Sequence, residues 1–313
     1  MTHRILIALV AGLTAGVLFV LPAKGMMLGM WLSVLAPMPL MIAAMGYGFP
    51  AALCAAAIGA IVSALMQPSL GVVFLVSTAF PALLLGWLSV HVFAGERRLG
   101  PGGLLAAVTA LSIAAVWGMI AFVAISYSGL DVAATEIADG VRELVKAMAG
   151  DEDGAGPLAS DDLARLVVAS VPAVLAFWSV LALSLNLWLA ARVTLISGQL
   201  AREWPDVPTN LRLPRVALAA FALATLACAL PGASRVVASS AAVALGVAFT
   251  LQGLAALHRL TRGRASRPGL LATLYTLIFI LFPLPLIIVA GVGLADNVKP
   301  LRRSLPKPTS TNL

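Results

Sequence analysis

The chain has 313 residues, of which 61% are hydrophobic and only 11% charged, with a mean hydropathy of +1.03. A water-soluble domain is about half apolar and about a quarter charged, so this composition excludes one and makes lipid the solvent. The net charge of +7 does not indicate a nucleic-acid binder. The positive residues cluster between apolar runs, where they orient spans, and no basic stripe interleaved with aromatics is present.

In lipid every backbone N–H and C=O needs an internal partner, which leaves helices or closed barrels. The runs are long, rich in Leu, Ala and Val and free of two-residue alternation. That pattern predicts an all-α polytopic bundle with about nine membrane segments rather than a barrel. The first apolar run covers residues 5–21 after a short basic start. It reads as a span, because Leu21-Pro22-Ala23-Lys24 makes a poor signal-cleavage site. Further runs cover residues 27–45, 51–66, 71–92 and 104–127, separated by Gly/Pro-rich turns and by a charged loop holding Arg97 and Arg98. Residues 1–127 thus form a five-span unit.

A polar interruption follows over residues 128–162. Its first part carries apolar residues at helical spacing between Asp131, Glu136, Asp139 and Glu143, which predicts an amphipathic surface helix. Residues 163–298 hold about four more apolar runs, at 166–193, 216–230, 236–257 and 270–294. The last is interrupted by Phe282-Pro283-Leu284-Pro285. Residues 299–313 read as a basic, disordered tail.

Placing the N-terminus in the cytoplasm puts the Arg97/Arg98 loop and the Arg-rich loops around residues 202–215 and 259–267 inside, and the acidic segment outside. Nine full crossings would then leave Lys299, Arg302 and Arg303 outside, against the same rule. Either the proline-broken final run is re-entrant and returns the tail, or one run is miscounted.

The runs hold almost no charge in their middles. Carboxylate dyads, proton relays and intramembrane metal sites need such charges, so an enzyme or an ion-driven pump is not expected. His3, His91 and His258 are scattered and form no metal ligand set, and no phosphate-cradling loop appears. No cofactor is implied. Cys54 and Cys228 read as small buried hydrophobes. The polar exceptions are the candidate contacts: Tyr47, Asn186, Gln252 and Asp296, either as solute-binding residues of a central cavity or as interhelical hydrogen-bonding groups. Trp178 and Trp188 fall within the sixth run, where at least one is expected to pack. Ala11, Gly12, Ala15 and Gly16 in the first run offer a small-residue face for close helix packing.

Pro37-Met38-Pro39-Leu40, then Gly46-Tyr47-Gly48-Phe49-Pro50 and an Ala/Gly-rich third run, resemble the early helices of substrate-binding S components of energy-coupling-factor transporters. The Ala11/Ala15 pair resembles the small-residue motif by which S components meet their membrane coupling subunit. The ending Gly291-Val292-Gly293-Leu294-Ala295-Asp296, followed by Arg302-Arg303, resembles the YybS-like family of uncharacterised bacterial membrane proteins. S components have fewer spans, and no family substrate carries over. The resemblance implies a multi-pass protein of the bacterial plasma (inner) membrane. It would be a solute-binding or transport-related component without its own energy source, dependent on a membrane partner to supply one. The alternative is a non-transport assembly or scaffold protein of the cell envelope.

Overall fold

The computed structural model describes residues 2–24, 27–91, 99–126, 161–200 and 204–299, with residues 132, 135, 138–140 and 143. The expected amphipathic helix and acidic turn, the Arg97/Arg98 loop and the basic tail beyond Lys299 therefore lie essentially outside the described residues. Among these, every regular element is helical. Seven helical stretches are long and apolar enough to cross a membrane: Arg4–Ala23, Leu28–Tyr47, Phe49–Met66, Pro68–Val90, Pro101–Ser126, Arg165–Ile196 and Ala233–Leu260.

The chain begins with α1 (Thr2–Val20), closed by a 3₁₀ turn at Leu21–Lys24. The second crossing is split into α2 (Met27–Ser33) and α3 (Pro37–Tyr47), because Pro37 and Pro39 carry no N–H to continue the ladder. Gly48, at φ 94°, then reverses the chain. After α4 (Phe49–Met66) the fourth crossing is also irregular: α5 (Pro68–Phe74), a π-helical turn at Leu75–Ala79, then α6 (Phe80–Val90). Pro81 cannot donate to the Ser77 carbonyl, and the wide turn lies just before it. Next come α7 (Pro101–Ser126) and α8 (Asp161–Ile196).

These helices meet through small residues. A Cβ on Gly12 would run into the Ala55 carbonyl, and one on Gly16 would lie 2.8 Å from Val62 Cβ. Lipid tails are as apolar as leucine, so close van der Waals fit rather than hydrophobic exclusion holds such pairs. Ala11 and Ala15 are buried as well. The small-residue face of α1 is thus spent on α4 inside the chain. The outward face of α1, with Ile5, Leu6, Leu9, Val10, Leu13 and Val17, is exposed as lipid-facing residues are. Cys54 is exposed and Cys228 half-buried, both as free thiols, which corrects the expectation that both are buried. Trp178 and Trp188 both keep about half their surface exposed.

The remaining helices differ. After the short α9 (Val207–Asn210), the run expected at 216–230 gives only α10 (Arg215–Ala227), because Cys228 to Leu230 turn toward Pro231 and Gly232. Then α11 (Ala233–Leu260) crosses fully and joins the main core through Ala244 and Val247. The last apolar run is two helices, α12 (Arg267–Ile280) and α13 (Leu284–Val298), broken at Leu281–Pro283. Each is about 21–23 Å long, too short for the roughly 30 Å of a hydrocarbon core. Among the described residues the apolar runs give seven long helices and three shorter apolar ones, two of these from the proline-broken last run.

The final pair returns to the face it left. Arg262, just before α12, pairs with Asp206, while Asn297 at the end of α13 bonds the backbone of Leu213. Residues 206–213 form one connection, so both ends of the pair lie at the same face. Between them Phe282 reaches inward to Phe177 of α8, ring centroids 6.2 Å apart. The break at Leu281–Pro283 thus lies between two helices whose outer ends share one face.

Candidate functional site: a groove at two helix breaks and a polar clasp

Both interrupted crossings border one groove of about 600 Å³. Its walls are Phe19 and Pro22 from the end of α1, Ser33, Val34 and Pro37 at the α2–α3 break, Ser77 and Thr78 in the π turn, Ala115, Val116 and Met119 of α7, and Leu175, Trp178, Ser179, Ala182 and Leu183 of α8. None of these residues is charged. The hydroxyl groups of Ser33, Ser77, Thr78 and Ser179 stand in otherwise apolar walls.

Asn186 sits one turn beyond Ala182 and is fully buried. In a continuous helix the Val34 carbonyl would accept from the Met38 N–H, but that N–H bonds Leu35 O instead, at 3.0 Å. Asn186 Nδ2 supplies the missing donor to Val34 O at 2.7 Å and also donates to Ala182 O at 2.7 Å. Its Oδ1 is buried without a hydrogen-bond partner, as is Ser112 Oγ one turn from Ala115. Asn186 therefore repairs the break and leaves an unpaired acceptor behind the groove.

A second polar group lies at the face where the chain ends. Gln252 of α11 accepts at Oε1 from the Leu213 N–H (2.9 Å) and from Asn297 Nδ2 (3.4 Å). Its Nε2 donates to Gly293 O (3.1 Å) and to Asp296 Oδ2 (3.2 Å). Asn297 Nδ2 also donates to Leu213 O at 3.0 Å, and Arg212 Nη2 to Asn297 O at 2.8 Å. Gln252, Asp296 and Asn297 are all buried. The clasp depends on close approach of α11 and α13: a Cβ on Gly253 would meet the Val289 carbonyl, and one on Gly293 the Phe249 carbonyl. Thr250 Oγ1 adds a bond to Leu286 O at 3.3 Å.

At the same face Arg262 grips Asp206 through two bonds, Nη1 to Oδ2 at 2.7 Å and Nη2 to Oδ1 at 2.8 Å, and Thr209 Oγ1 donates to the same carboxylate. These donors hold the Asp206 carboxyl below its ordinary value, and the carboxylate in turn raises the Arg262 guanidinium.

The structure does not gather the four expected contacts into one cavity. Gln252 and Asp296 touch each other. Asn186 serves the α2–α3 break. Tyr47 closes α3 at the opposite end from that break and is half-buried. Sequence reasoning missed Asn297, adjacent to Asp296, and the Leu213 backbone that both clasp residues meet. It also missed the groove; the proline pair at Pro37 and Pro39 was the available signal. Among the described residues no group of His, Cys, Asp and Glu could hold a metal ion.

Comparison with curated proteins and with solved structures gives no match. The sequence does match one family, described as predicted membrane protein (DUF2232), over residues 8–297. That stretch takes in α1 to α13, the groove and the clasp, and the chain belongs to this family of predicted membrane proteins.

Proposed function

We propose that this membrane protein is a solute-binding, transport-related component that holds a small molecule in the groove between α1, the α2–α3 break, the π turn, α7 and α8. The observation that carries the reading is the coincidence of two interrupted crossings at one groove. Irregular backbone at membrane depth is tolerated only where protein buries it or a cavity uses it, and transporters place their binding sites at such discontinuous helices. π turns likewise concentrate at functional sites. The resemblance of the Pro37-to-Pro50 region to S components points the same way.

The protein acts without an energy source of its own and is not an enzyme: its spans lack the paired charges that proton relays and hydrolytic centres require. Coupling to transport would need a membrane partner. The face carrying Arg212, Arg262, Arg264, Arg267 and Lys299 is the cytoplasmic one of a bacterial inner membrane by the positive-charge rule. On this reading the N-terminus is cytoplasmic as well.

Native mass spectrometry of the protein released from lipid nanodiscs tests the reading. A stoichiometric small molecule should travel with the protein and be lost on Ala182→Trp, which fills the groove. Retention of the same molecule by the filled variant, or no bound or stabilising compound across a broad metabolite screen, overturns it.

A further inference from the structure

Of the groove's four hydroxyl groups, those of Ser33 and Ser77 can serve a ligand as acceptors, Thr78 Oγ1 lies 3.4 Å from Ser77 Oγ, and Ser179 keeps a proton to donate. The Ser33 hydroxyl donates to Met30 O at 2.8 Å and the Ser77 hydroxyl to Val73 O at 2.7 Å. Each has spent its proton on its own helix, and what it can still offer is oxygen lone pairs. Asn186 has committed its amide nitrogen to Val34 O and Ala182 O, and only Oδ1 remains unpaired behind the wall. Among the described residues no lysine, arginine or histidine lines the groove. Around these oxygens the walls are apolar, with the Trp178 ring along one side.

We propose that the groove selects an uncharged amphiphile whose head group donates hydrogen bonds to these oxygens and whose apolar body lies along Trp178, and that it excludes anions. The inference rests on the groove being the binding site proposed above. A hydroxyl or amide N–H entering the groove finds acceptors already oriented by their helices. A carboxylate or phosphate finds at most a hydroxyl donor and, among the described residues, no cation, and burying an unpaired charge costs far more than the apolar body returns. A plain hydrocarbon fits the walls but leaves the acceptors unpaired.

Three probes that share a brominated eight-carbon chain separate these cases: 8-bromo-1-octanol, 8-bromooctanoate and 1-bromooctane. Bromine quenches indole fluorescence on contact, and partition into lipid gives a non-saturating background. In nanodiscs at pH 8, bromooctanol should give saturable quenching that disappears in Trp178→Phe. Bromooctanoate and bromooctane should each bind about tenfold more weakly or worse, the factor expected for one unmade hydrogen bond. The double variant Ser33→Ala/Ser77→Ala should weaken bromooctanol while leaving bromooctane unchanged. Saturable quenching of equal strength by all three probes, or strongest by bromooctanoate, overturns the head-group selection but leaves the groove a binding site. No saturable quenching by any probe overturns the groove itself.

Discussion

The two halves of the molecule are held together by different means. From α1 to α8, helices meet through Ala, Gly and Leu, and polar side chains mostly bond within their own helix: Ser63 to Gly59 O, Thr109 to Leu105 O and Thr194 to Ala190 O. Asn186 is an exception that mends a break, and Trp117 Nε1 donates across to Ser240 Oγ of α11 at 3.0 Å. In the second half α11 crosses fully, but α10, α12 and α13 are short, with no buried residue in α12 and only Ala217 in α10. There α13 is held by a clasp of side chains and backbone at one face. Long helices in lipid can rest on shape complementarity along their length. A short returning arm has little length to use and must be fixed at its end by directed bonds.

If this contrast holds, the largest effects should come from separating backbones in either half. Gly293→Leu would force α13 off α11, and Gly12→Leu would force α1 off α4. Each should lower stability by about 1–3 kcal/mol or prevent accumulation of folded protein. Reversible unfolding in mixed micelles reads the first outcome and membrane yield the second. Tolerance of Gly293→Leu with an unchanged midpoint would show that α13 is not seated as described.

Next in size is Gln252→Leu, which leaves the buried Leu213 N–H without its acceptor and removes one contact each from Asp296 and Asn297. About 1–3 kcal/mol should be lost. Hydrogen exchange should rise in residues 284–298 while α1 and α4 stay protected. Uniform loosening of both halves would erase the distinction between them. Asn186→Leu should cost less, near the average of about 0.6 kcal/mol for a polar contact between membrane helices. One carbonyl loses its donor, but the unpaired Oδ1 is removed in the same change. A cost equal to that of Gln252→Leu would mean that Asn186 anchors its half as the clasp anchors the other.

The smallest effect belongs to Asp206 and Arg262, whose side chains are 45% and 43% exposed. Exposed pairs contribute less than about 1 kcal/mol, and salt screens them. The Asp206 carboxyl titrates below its unfolded value. The contribution is therefore full above about pH 4, where the unfolded carboxyl is ionised, and disappears as pH falls through the folded value. Thermal scans from pH 7 down to pH 3 should show wild type and Arg262→Ala converging. A gap that widens toward low pH would assign the pair the wrong sign.

Much of this architecture was legible in the residues. Uncharged Leu/Ala/Val runs fix a helical membrane protein, and Pro283 and Pro285 mark the broken last segment. The rarity of polar residues in the runs singled out Asn186 and Gln252. What pairs them was not legible, because their partners are backbone groups: the Val34 carbonyl, freed by prolines three and five residues later, and the Leu213 amide. Backbone partners leave no mark in composition. The short α10 was hidden for a similar reason. Its apolar run continues to Leu230, but the helix ends at Ala227 and the remaining residues turn. The π turn likewise follows from hydrogen-bond geometry ahead of Pro81, which periodicity does not register.

The short helices also bear on the membrane around them. Helices of 13 and 14 residues cover only about 20 Å against a hydrocarbon thickness of roughly 30 Å. Neighbouring acyl chains must compress or tilt to meet them, at fractions of a kcal/mol per Å of mismatch. Where α10 and α12 meet lipid the bilayer is expected to be drawn thin, while beside α7 and α8 it is expected to keep its full depth. Lipid chain length becomes a variable to which one side of the protein responds and the other does not.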